Sequence, residues 1–79
     1  MSENRRAPRY DVLKVGAVKF GRQSVNCLVR NLSATGAAIE ISSRTGLPER
    51  FVLVVPGDRL QLACRLVWRK EHRIGVAFS

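Results

Sequence analysis

The sequence is poor in the residues that most enzymes need. It holds one histidine, two cysteines, one tryptophan, one tyrosine and one methionine, and six acids against 14 Lys and Arg. The single histidine, His72, lies between charged neighbours in a short polar stretch, an exposed position with no catalytic partner. Cys27 and Cys64 stand apart, with no CxxC pair, and one histidine cannot complete a zinc site with them. The acids are scattered, and no P-loop, G-x-S-x-G or H-E-x-x-H occurs. These gaps predict a non-enzyme with no metal and no cofactor. Long apolar runs are also missing. The longest, Phe51 to Val55, is far below the ~18 residues a membrane span needs. The first apolar stretch, Val12 to Phe20, is interrupted by Lys14 and Lys19, unlike a secretory leader. The expectation is a cytoplasmic chain with reduced thiols and no membrane insertion; a Cys27–Cys64 disulfide would need an extracellular setting.

What is present is charge and β-branched apolar sequence. In 79 residues there is room for one domain with one core, and the net charge is +8. Such a charge implies an anionic partner, whether nucleic acid, an anionic membrane or a phosphorylated ligand, or else a merely soluble surface. Residues 1–9 read as a flexible polar arm. Residues 10–79 read as six short strands: Val12–Phe20, Ser24–Leu32, Gly36–Ile41, Arg50–Val55, Arg59–Arg69 and Arg73–Phe78. Turn residues separate them: Gly21-Arg22-Gln23, Ser42 to Glu49 with Gly46 and Pro48, Pro56-Gly57-Asp58, and Lys70-Glu71-His72.

In the fifth strand, period-two alternation predicts Leu60, Leu62, Cys64, Leu66 and Trp68 inside and Arg59, Gln61, Ala63, Arg65 and Arg69 outside. Val67 breaks the polar row, which suggests partial cover there. Cys64 reads as a small core residue. In the last strand Ile74, Val76 and Phe78 share a face, and Gly75 and Ala77 leave the other nearly bare. One flat sheet of such strands would expose open edges and an uncovered apolar face, so the expected fold is a closed, mostly antiparallel six-stranded β-barrel.

Two segments carry chemistry. Arg5-Arg6-Ala7-Pro8-Arg9 sets three mutually repelling guanidiniums in the arm, an arrangement that favours an anion. Guanidinium grips phosphate oxygens with a planar fork and stacks on purine faces. Asn31-Leu32-Ser33-Ala34-Thr35-Gly36 combines two short polar side chains with a glycine that permits close backbone approach. Alone, each segment also reads as something plainer, a solvated tail or a strand connection with Asx-turn chemistry.

Together they resemble the PilZ domain, the bacterial receptor for the second messenger cyclic di-GMP, through RxxxR (Arg5 and Arg9, with Arg6 giving the double-arginine form) followed by (D/N)xSxxG (Asn31, Ser33, Gly36). The ending Arg73-Ile74-Gly75-Val76-Ala77-Phe78 resembles the family's closing Gly-x-x-Phe strand. The resemblance implies a six-stranded β-barrel whose arginine arm folds over bound cyclic di-GMP. Arg5, Arg6 and Arg9 would hold phosphates and guanine. Asn31 and Ser33 would hydrogen-bond guanine, and Gly36 would allow close approach. It also implies a receptor that signals to a downstream protein. Asn31 stands where Asp is more frequent, which removes a negative charge beside the ligand. Asn4, just before RxxxR, occupies the position that influences ligand stoichiometry. Many members continue into a helix after the last strand; here the sequence stops at Ser79, as a minimal barrel or with that helix outside the chain.

Two other readings compete. A small nucleic-acid-binding barrel would suit the charge, but it needs clustered exposed aromatics, and periodicity turns Trp68 and Phe78 inward. No polymeric nucleic acid is therefore expected as partner. A protein-interaction module needing no nucleotide would dock through the outer row Arg59, Arg65 and Arg69, which otherwise serves as edge protection. Barrel closure leaves little shared edge, so the free chain is expected to be a monomer.

Overall fold

The computed structural model describes residues 10–41 and 46–79, with side chains from Leu13 onward. Six antiparallel strands follow in order: β1 (Tyr10–Phe20), β2 (Gln23–Leu32), β3 (Gly36–Glu40), β4 (Arg50–Val55), β5 (Leu60–Lys70) and β6 (Arg73–Phe78). They close into a barrel in the order β1-β2-β3-β6-β5-β4. The only helical segment among the described residues is the 3₁₀ turn Pro56–Asp58, whose proline presets the φ its first position needs. No helix among them is long and apolar enough to cross a membrane.

The strands form where the sequence alternates, and the alternation fills the barrel. Val18 of β1, Val29 of β2, Ile39 of β3 and Leu53 of β4 are completely buried. Phe51, Val55, Cys64, Ile74 and Val76 pack with them, and the partly buried Phe20, Leu32, Leu60, Leu62, Leu66 and Phe78 pack against this cluster. Each fully buried aliphatic side chain contributes about 1.5–3 kcal/mol. No polar or charged side chain is buried among the described residues, so the core needs no internal hydrogen-bond network. Cys27 and Cys64 are free and buried, Cys64 donating weakly to the Leu62 carbonyl at 3.3 Å.

The alternation expected for β5 holds from Leu60 to Leu66 and then fails. Leu66 pairs with Val76 and Trp68 with Gly75, so Val67 is an extra residue in β5 with no partner on β6. This β-bulge shifts the alternation by one. Trp68, expected inside, faces outward and is 46% exposed, and Val67, expected to be partly covered, is 56% exposed. A second bulge lies in β2, where Val29 pairs with Ile39 and Asn31 with Ala38, leaving Arg30 unpaired on β3. A third shifts the β1–β2 register between Asp11 and Lys14.

Candidate functional site

The outer face of β3 and β6 is almost without side chains. Gly36 pairs with Ala77 and Ala38 with Gly75, and these four residues form a floor on which only methyl groups protrude. Along one side rise Val67 and Trp68 of β5; along the other lie Asn31 at the end of β2 and Ser33 and Thr35 of the connection to β3. The result is a trough of about 310 Å³. That is near the lower limit of ligand sites, which run from about 300 to 1,000 Å³.

Both walls depend on bulges. In strict alternation after buried Val29, Asn31 would point into the barrel; the extra Arg30 turns it to the side of Ala38 instead. Val67 does the same for Trp68. Bulges re-aim side chains beside functional sites, and here one acts on each wall.

The floor is glycine for steric reasons. A β-carbon on Gly75 would overlap the Trp68 indole, which lies across it. A β-carbon on Gly36 would collide with the Val76 carbonyl oxygen of β6. Gly36, expected to admit a ligand, is therefore also required by the barrel itself.

Ser33 builds the turn. Its Oγ accepts the N–H groups of Thr35 and Gly36, both at 3.2 Å, and lies 3.2 Å from the Gly36 carbonyl oxygen, to which it donates. The Ser33 N–H donates to the same carbonyl at 2.9 Å. This hydroxyl spends its hydrogen-bonding capacity locally and fixes the connection that presents Asn31 and Gly36. Asn31 has no hydrogen bond to its side chain among those formed by the described residues, which leaves its amide edge available to the trough.

Among the described residues no carboxylate lines the trough. Arg65, paired across the ladder with Ala77, stands exposed at its margin. Farther along the β2–β3–β6 surface, Glu40 is held by Arg30 at 3.4 Å and Arg73 at 3.7 Å, exposed pairs worth little to stability but sufficient to keep that carboxylate engaged. No group of three or more His, Cys, Asp or Glu among the described residues is placed to hold a metal ion.

Of the residues singled out from sequence, Asn31, Ser33 and Gly36 come together in this trough. Arg5, Arg6 and Arg9 lie outside the described residues. Tyr10, which follows Arg9, pairs with Leu32, and Asp11 pairs with Asn31, so β1 begins beside the Asn31 wall. Trp68 and Val67 were missed as site residues. Their signal was the apolar Val67 in the polar row, the mark of an extra residue, together with the bare Gly75 and Ala77 that a neighbouring ring can cover.

No curated protein matches the chain. The PilZ domain family model matches residues 3–79, essentially all of it. A closed six-stranded antiparallel barrel that gathers the NxSxxG residues into one outward trough thus belongs to the PilZ domain family, whose domains bind cyclic di-GMP.

Proposed function

We propose that this chain is a non-catalytic, cytoplasmic bacterial receptor for cyclic di-GMP, with residues 1–9 as ligand-binding arm and residues 10–79 as barrel. One guanine lies on the part of the floor that the Trp68 indole leaves open, Gly36, Ala38 and Ala77, with its face or edge against that indole, a stacking contact worth about 1–3 kcal/mol. The Asn31 amide reads the edge of that base, and Ser33 holds Asn31 and Gly36 in place. Arg5, Arg6 and Arg9 take the two phosphates and the second guanine. Closure of the arm is then relayed to a protein partner, the free receptor being monomeric.

The observation that carries this reading is the convergence of Asn31, Ser33, Gly36 and Trp68 on one trough beside the start of β1. At about 310 Å³ the trough accommodates a base but not a whole cyclic dinucleotide. The remainder of the ligand needs a cover, and the arginine segment joins the barrel beside the Asn31 wall. Ordering the arm costs about 1–2 kcal/mol per residue fixed, and charge-assisted hydrogen bonds of about 1.5–3 kcal/mol each offset it. Micromolar affinity, about −8 kcal/mol, is the expected net result.

Trp68 is the only tryptophan in the chain, so its fluorescence reports on the trough directly. Titration with cyclic di-GMP is expected to quench it with a micromolar dissociation constant. Calorimetry is expected to lose at least about tenfold in affinity for Arg9→Ala. Absence of binding at ~100 μM ligand would overturn the proposal. The exposed Trp68 does return one aromatic to the surface, but single-strand binding uses a row of them.

A further inference from the structure

The face of the barrel centred on β1 is the most apolar part of its described exterior. Leu13 and Val15 are 68% and 70% exposed. Val15 pairs with Leu28 of β2, and Ala17 pairs with Val54 of β4, with Val52 one pleat farther along. Leu28 and Val52 are also exposed, so aliphatic side chains run from β2 across β1 to β4. Beside Val15 and Leu28 the face deepens into a groove of about 530 Å³, bounded by Asn26, Glu40, Ile41 and His72. Contiguous apolar surface of this kind marks interaction sites.

We infer that this face docks an acidic amphipathic helix of another protein. The exposed apolar groups are side chains that stand off the face of the sheet, so a partner that covers them docks on side chains, as the apolar face of an amphipathic helix does. The sign of its charge follows from the rim. Lys19, which pairs with Val52, Arg50, two residues before Val52 in β4, and Arg22 in the β1–β2 turn are exposed there and form no ion pair among the described residues. Of the nearby acids among the described residues, Asp58 is held by Lys14 at 3.0 Å and Glu40 by Arg30 and Arg73, leaving Glu49 and, beside His72, Glu71 against those three cations. A rim of this charge complements carboxylates and repels a second copy carrying the same rim and a net charge of +8. A lipid surface is disfavoured as well. The described part of the patch is aliphatic, whereas interfacial anchors are Trp and Tyr, and the one tryptophan lies on the far side.

In the ring of strands β1 stands opposite β6, three positions away in either direction. The docking face and the Trp68–Gly75 trough therefore do not overlap. This inference is independent of the nucleotide reading, because it rests on the opposite face and on binding without nucleotide.

The test is titration of the isotope-labelled full chain, followed by amide NMR, with a synthetic amphipathic helix about 18 residues long carrying leucines at i, i+3, i+4 and i+7 and glutamates elsewhere. A lysine-for-glutamate version is the control. Saturating shifts are expected around Val15, Leu28 and Val52, with the lysine peptide at least about tenfold weaker. Val15→Asp is expected to weaken the glutamate peptide by a similar factor without altering amides of β3 and β6. Should Val15→Asp fail to fold, Leu13→Asp serves the same purpose. Equal affinity for the two peptides, or shifts centred on Gly36 and Gly75, would overturn the inference. So would a Val15→Asp-sensitive dimer in sedimentation velocity, or Val15→Asp-sensitive binding to vesicles of zwitterionic and anionic phospholipid.

Discussion

Ser33 shows how one hydroxyl does structural work inside a ligand motif. Its Oγ takes two backbone N–H groups and gives its own proton to the Gly36 carbonyl. Ser33→Ala removes all three contacts at a partly buried site and is expected to cost about 1–2 kcal/mol, measurable by urea unfolding. If stability were unchanged while ligand affinity fell, Ser33 would be a direct ligand contact instead of a positioning residue. Asn31→Ala is the contrast, since its amide is not tied up locally. It is expected to lower affinity with little change in the unfolding midpoint. Gly75 illustrates a different constraint, because any side chain there meets the Trp68 ring. The motif residues were legible in the sequence as residues. Which of them is tied up in building the turn and which keeps a free polar edge was not, since that division depends on backbone partners up to three residues away.

At the level of elements, six strands were readable because each joins a short alternating run to a turn of Gly, Pro or charged residues. Arg50–Val55 and Arg73–Phe78 have the expected limits, and the other four differ by one or two residues at their ends. The failure at Trp68 has a physical cause. Alternation assumes one residue per pleat, and an unpaired residue breaks that assumption without a composition signal of its own. Asn31 is a parallel case at Arg30. Deletion of Val67 tests the bulge. Leu66 and Trp68 already face consecutive residues on β6, Val76 and Gly75, so the ladder closes unchanged and Trp68 stays outside. The variant is expected to fold with a stability loss of at most about 2 kcal/mol and with the solvent-exposed emission of Trp68 retained. Blue-shifted, quencher-protected emission would mean that the ring has turned inward and that Val67 is not the extra residue.

For the whole molecule, the dry core sets the response to pH. Burial, together with the neighbouring Cys64, pushes the Cys27 thiol up to about 11 from 9.0. Burial also raises Cys64, partly opposed by a backbone hydrogen bond at Leu53. The folded state thus binds these protons more tightly than the unfolded chain does. Their contribution is fully present below pH 9 and is lost as pH rises towards 11. For Cys27 this amounts to about 2–3 kcal/mol. The urea midpoint is expected to fall between these pH values and to fall less in Cys27→Val; parallel curves for the two proteins would contradict the assignment. The same burial leaves the described exterior with no reactive thiol, while the bulge leaves Val67 exposed and unpaired at the rim of the trough. Val67→Cys then gives a maleimide dye one exposed thiol, with both native thiols retained in the core. The irregularity that turns Trp68 outward thereby supplies a chemical handle for an optical sensor, at a point where the strand has a residue to spare.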